Sequence, residues 1–217
     1  MTIRILTFGD SLTEGRSYKA ILSKSPRMPF TYQSKLYEEL EKEGFDVEIV
    51  NEGIGGQIAV EIAKRIESME STDYLIITAG TNDCWKWSDL YSGTSDFESF
   101  NNDLVEETFN IIREVAINAK NKVRKNIMIV SIPPVRNTSQ HNLPKHFLAT
   151  IKKINQKYLE FCEQQGFIYC DLFKTMIDSE GYLKDSLHSG DGVHFSIEGN
   201  AVFGKTVADC IKPHLRK

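Results

Sequence analysis

Short apolar runs alternate with longer helical patterns along the whole chain. Ile3 to Phe8 is the first run. It is too short for a helix and dense in apolar side chains, so it reads as a buried strand. Similar runs at Val47–Val50, Tyr74–Thr78, Asn126–Ser131 and Phe167–Cys170 predict four more. Between them, apolar residues recur at three- and four-residue intervals. Tyr32, Leu36, Tyr37 and Leu40 share one face of a helix over Thr31–Glu43, and Gly44 ends it. Ile62, Ile66 and Met69 mark a helix over Ala59–Met69. Asp96 is placed to cap a long helix to about Ala119, carrying Phe100, Leu104, Phe109, Ile112 and Val115. Pro144–Gln165 repeats the pattern with Phe147, Ile151, Ile154, Tyr158 and Phe161. Ser196 caps a last helix, through about Ile211.

Strands that alternate with helices through short turns predict a five-stranded parallel sheet covered on both faces. The expected class is α/β, as a three-layer α/β/α arrangement. No repeat, low-complexity tract or linker divides the 217 residues, so residues 1–217 read as one domain.

Composition narrows the function. The 26 basic and 30 acidic side chains are well mixed and leave a net charge of −4. That balance opposes a nucleic-acid partner. No apolar run reaches the roughly 18 residues of a spanning helix, so no membrane insertion is expected. The N-terminus lacks the regions of a secretory leader, and the expected location is cytoplasmic. Cys84, Cys162, Cys170 and Cys210 form no C-x-x-C pair and read as free thiols packed as small apolar groups. No histidine spacing suits a metal, and none is expected.

The chemically suggestive positions all follow strands, or precede the last helix. Gly9-Asp10-Ser11 follows the first strand, Asn51-Glu52-Gly53-Ile54-Gly55-Gly56 the second, and Gly80-Thr81-Asn82-Asp83 the third. Asp191-Gly192-Val193-His194 comes just before Ser196. In a parallel sheet the carboxyl ends of the strands share one edge, so remote motifs can converge there. A serine, a backbone donor, an amide donor and a histidine are the parts acyl transfer needs. Asp191 is spaced to orient the His194 imidazole, and the other ring nitrogen can then take a hydroxyl proton. His188 competes for that role, with Asp185 before it. Ser11 alone also fits a helix cap, Asn82 a turn, and Gly53-Ile54-Gly55-Gly56 fails the spacing of a dinucleotide loop. Asp10 reads either as a second carboxylate at the site or as a group holding the turn.

The ordered set resembles the SGNH hydrolases, also called the GDSL esterase/lipase superfamily, over nearly the whole chain from Gly9-Asp10-Ser11 to Asp191-x-x-His194. The resemblance implies a flavodoxin-like fold and ester hydrolysis with no metal or cofactor. It implies Ser11 as nucleophile, His194 as general base and Asp191 as its orienting partner. The oxyanion hole would be the Ser11 and Gly56 amides with the Asn82 side chain. The implied partner is a small or medium carboxylic ester, cleaved through an acyl-enzyme. Carbohydrate deacetylation and acyl transfer would use the same site, and a non-catalytic binding module on the same fold would lack one of these groups. Two segments stand outside the pattern. Arg16–Thr31 reads as a lid or partner surface. The stretch from Cys84 to Gly93 reads as a loop whose Trp85 and Trp87 either contact substrate or anchor the loop.

Overall fold

The computed structural model describes residues 2–16, 30–90, 97–140, 142–143 and 146–215, with backbone alone for 86–90 and 97–100. Five strands form one sheet: β1 (Ile3–Gly9), β2 (Val47–Gly53), β3 (Thr72–Thr78), β4 (Val123–Val130) and β5 (Ile168–Cys170). Their order is β2-β1-β3-β4-β5, and every neighbouring pair is parallel. That is the flavodoxin-like order, whose crevice opens at the carboxyl ends between the first and third strands.

The alternation of side chains on the strands builds two cores. Leu6, Phe8, Leu75 and Ile77 face one side, with α3 (Ala59–Glu67), α5 (Phe97–Ala119) and α6 (Phe147–Gln165) packed over them. Ile5, Tyr74 and Ile76 face the other, under α2 (Tyr32–Lys42), α7 (Leu172–Met176) and α8 (Ile197–Leu215). Tyr32 and Phe203 stack at 3.9 Å between ring centroids and join α2 to α8. The three α/β/α layers expected from the chain are therefore present. Two short elements complete the path around the sheet edge: α1 (Ser11–Glu14) and α4 (Thr81–Leu90).

Register places the site. Gly9 pairs with Gly53 on one side and with Thr78 on the other. The three strands thus end level, and the residues after them emerge side by side.

Three expectations are corrected. The stretch from Cys84 reads as a loop in the sequence, but Thr81–Leu90 is helical. Its Gly-Thr-Asn-Asp start carries turn formers, which also suit a helix N-terminus, and Cys84 and Trp85 then pack into the core. Tyr37 does not share the buried face of α2. It is 43% exposed, and its hydroxyl donates to Glu41 at 3.1 Å. The last helix runs past Ile211 to Leu215 despite Pro213, because Leu215 is buried and Tyr74 Oη donates to the His214 carbonyl at 2.8 Å. Asp96, Pro144, residues 17–29 of the Arg16–Thr31 segment and the Trp87 side chain lie outside the described residues. Among the described residues, no helix is long and apolar enough to cross a membrane.

Candidate active site

Ser11 is the first residue of α1, so its N–H has no acceptor within the helix. Asp10 caps that helix: its Oδ1 accepts the Leu12 N–H at 2.9 Å. Ser11 stands at the C-terminal edge of β1, 8% exposed.

His194 reaches it across 183 positions of sequence. His194 Nε2 lies 3.0 Å from Ser11 Oγ. His194 Nδ1 lies 2.6 Å from Asp191 Oδ2. Asp191 is fully buried, and its Oδ1 accepts the main-chain N–H of Val193 and of His194, at 3.0 and 2.8 Å. Burial works to raise the Asp191 carboxyl. The hydrogen bond to the His194 ring and the attraction of that ring when protonated, with those two amides, outweigh it and hold the group below the usual carboxylate range. An ionised Asp191 requires the proton on Nδ1 and leaves Nε2 as the acceptor facing Ser11.

His188, the competing histidine, serves the loop instead. Its Nδ1 accepts the N–H of Gly190 at 3.1 Å and of Gly192 at 3.3 Å, and its Nε2 lies 3.6 Å from Asp185 Oδ1. Ser189 closes the same loop, donating from its main-chain N–H to the His194 carbonyl at 2.7 Å.

The second and third motifs meet at the same rim. Asn82 Nδ2 donates one hydrogen to the Gln57 carbonyl at 2.9 Å, which fixes the amide and leaves its second hydrogen for another acceptor. Gly56 takes a left-handed backbone, φ 82°, that disfavours any other residue. Asn51 braces the turn by accepting the Gly53 N–H through Oδ1 at 2.9 Å.

Two buried carboxyls lie beneath this rim. Asp83 accepts the Ala59 N–H at the start of α3 through both oxygens, at 3.1 and 3.0 Å. Burial pushes it up to about 7, against that amide and with the Asp10 charge adding to the rise. Burial pushes Asp10 up to about 6, against the Leu12 amide and the His194 charge. Asp10 is 1% exposed and holds the turn at the nucleophile. Trp85 packs on Phe147 with ring centroids 4.6 Å apart, so one face of its indole is committed to the body. Cys84 is buried, and that burial pushes its thiol up, away from a thiolate. Cys162 and Cys170 are buried too, and Cys210 is half-buried; all four thiols are free. No group of three or more His, Cys, Asp or Glu that would hold a metal occurs among the described residues.

Sequence reasoning does not single out three supporting residues. Arg65 donates from Nη1 to the Glu52 carbonyl at 2.5 Å, from Nη2 to the Gly9 carbonyl at 3.1 Å and from Nε to Gln57 Oε1 at 2.8 Å. Gln57 in turn holds Asn82. Glu14 accepts the Gly55 N–H at 2.8 Å. A spacing of three from Ser11 marks Glu14 as its neighbour on one helical turn, but nothing local marks Arg65.

Solved structures similar to this chain share the fold. One is a catalytic mutant of an acetylxylan esterase from Geobacillus stearothermophilus, with TM-score 0.72 and 18% identity, over 97% of this chain and 95% of that one. Another is a lipase/acylhydrolase from Enterococcus faecalis, with TM-score 0.71 and 21% identity, over 98% of this chain and 96% of that one. No curated protein matches by sequence. The model of the GDSL-like lipase/acylhydrolase family matches residues 7–202, from β1 to α8. Ser11, after the first strand, and His194, before the last helix, both lie within that span and in contact, and the chain belongs to the GDSL-like lipase/acylhydrolase family of hydrolases.

Proposed function

We propose that this protein is a serine esterase that cleaves a small or medium carboxylic ester through an acyl-enzyme on Ser11. One observation carries the reading: the continuous hydrogen-bonded chain from Ser11 Oγ through the His194 ring to the buried Asp191. His194 Nε2 takes the hydroxyl proton as Oγ bonds to the carbonyl carbon. Asp191 stabilises the imidazolium that results. The oxyanion is received by the Ser11 and Gly56 amides and the second Asn82 hydrogen. His194 returns its proton to the leaving alcohol as the ester C–O bond breaks. Water then repeats the cycle at the acyl-enzyme and frees the acid. The experiment is hydrolysis of p-nitrophenyl acetate by wild type and Ser11→Ala. The variant should lose turnover to the background rate; equal rates would remove Ser11 as nucleophile.

A second reading uses the same groups on an acetylated carbohydrate. The similarity to an acetylxylan esterase over nearly the full chain favours it. Acetate release from acetylated xylooligosaccharides, measured beside p-nitrophenyl esters of rising chain length, ranks the two. Adding an acceptor alcohol reveals transfer in place of hydrolysis.

A further inference from the structure

Glu14 ends the one-turn helix that Ser11 begins. It is 7% exposed, where a carboxylate persists only with partners. Its Oε2 accepts the main-chain N–H of Gly55 at 2.8 Å and the Arg16 Nε–H at 2.5 Å. The backbones themselves touch at this point. A Cβ on Gly53 would lie 2.1 Å from the Glu14 nitrogen and 2.5 Å from the Thr13 carbonyl carbon, so no larger residue fits. Ile54 N–H donates to the Gly9 carbonyl at 3.1 Å. On its far side the same loop is held by Arg65 and Asn82. Glu14 thus joins the helix of the serine to the Ile54–Gly55 peptide, next to Gly56.

We infer that Glu14 is a positioning residue for the oxyanion loop, which keeps the Gly56 N–H in register with the Ser11 N–H. The inference rests on the esterase reading. The physical reason is preorganisation. A donor already aimed at the developing oxyanion needs no reorganisation during the reaction, and a displacement of about 1 Å costs on the order of 10²-fold. The length of the side chain sets where its acceptor oxygen sits, and so where the Gly55 amide is held. The side chain touches no reacting atom. Its loss should therefore weaken transition-state binding more than ground-state binding, and appear in kcat more than in KM.

The test compares Glu14→Asp, Glu14→Gln and Glu14→Ala on p-nitrophenyl acetate. Asp keeps the charge but falls one methylene short of Gly55. Gln keeps an acceptor oxygen at the original reach. Asp and Ala should lower kcat by about 10–100-fold with KM within about threefold, and Gln should recover most of the loss. A wild-type kcat in Asp, a loss confined to KM, or a Gln variant as impaired as Asp would overturn the inference. If Glu14→Ala does not fold, the Asp and Gln pair decides. Hydrogen exchange at the Gly55 amide reads the same contact without turnover: it should quicken in Glu14→Asp, and unchanged exchange overturns the inference. Wild-type protein inactive on every ester would refute the esterase reading instead, while the Gly55 exchange still reports whether Glu14 holds the loop.

Discussion

Asp191 grips His194 twice: its Oδ2 meets the ring at Nδ1, 2.6 Å away, and its Oδ1 accepts the main-chain N–H of the same residue at 2.8 Å. The carboxylate sets the tautomer of the imidazole and the path of the backbone that carries it. Asp191→Asn should keep the loop, since an amide oxygen can replace Oδ1, yet present the wrong partner to Nδ1. A kcat lower by about 10²–10⁴-fold at neutral pH is expected, with little change in melting temperature. Asp191→Ala should cost stability as well. Equal kcat in Asp191→Asn and wild type would show that backbone contacts alone orient the ring.

Asn82 holds one hydrogen on Gln57 and offers the other to the site. Asn82→Ala should lower kcat by about 10²–10³-fold, the usual effect of losing one oxyanion donor. Steady-state kinetics on a p-nitrophenyl ester provide the measurement. An unchanged kcat would take the side chain out of the oxyanion hole.

His188 Nδ1 accepts two glycine amides of the loop that bears Asp191 and His194. At net values of about 0.5–1.5 kcal/mol per hydrogen bond, His188→Ala should destabilise the fold by roughly 1–3 kcal/mol and lower kcat without abolishing it. Urea unfolding checks the first part and ester turnover the second. Undiminished stability would mean the loop keeps its shape without that ring.

Asp83 and Asp10 give the fold a stability that falls as pH rises. Burial pushes them to about 7 and about 6, from 3.8. A carboxyl raised in this way binds its proton more tightly in the native state than in the unfolded chain. Its contribution is complete below the unfolded value and is lost as pH climbs to the folded one. The window is therefore about pH 4 to 7, with a limiting slope near 1.4 kcal/mol per pH unit for each proton. The depressed carboxyl of Asp191 works in the opposite sense, and its contribution is lost only below that window. Asp83→Asn should flatten the slope between pH 5 and 7, as measured by urea unfolding at several pH values. Parallel curves for variant and wild type would exclude Asp83 as a source.

The alternation of buried strands and amphipathic helices was legible from residue types alone, because period and length are local properties of the chain. So was the placement of Ser11, Gly56 and Asn82 after successive strands, since parallel strands must turn at a shared edge. Local signals did not settle everything nearby. Turn-forming residues at Gly80–Asp83 suit a loop and a helix start equally, and only the packing of Cys84 and Trp85 against the core selects the helix. His188 and His194 carry similar neighbours in the chain. Their roles separate because the loop between them folds back, turning one ring to the Gly190 and Gly192 amides and the other to Ser11. The braces from Glu14 to Gly55 and from Arg65 to Gly9 and Glu52 span 41, 56 and 13 positions. Contacts of that kind depend on which surfaces meet when the sheet closes, and a hydrogen bond between remote groups leaves no period or spacing in the sequence by which to find it.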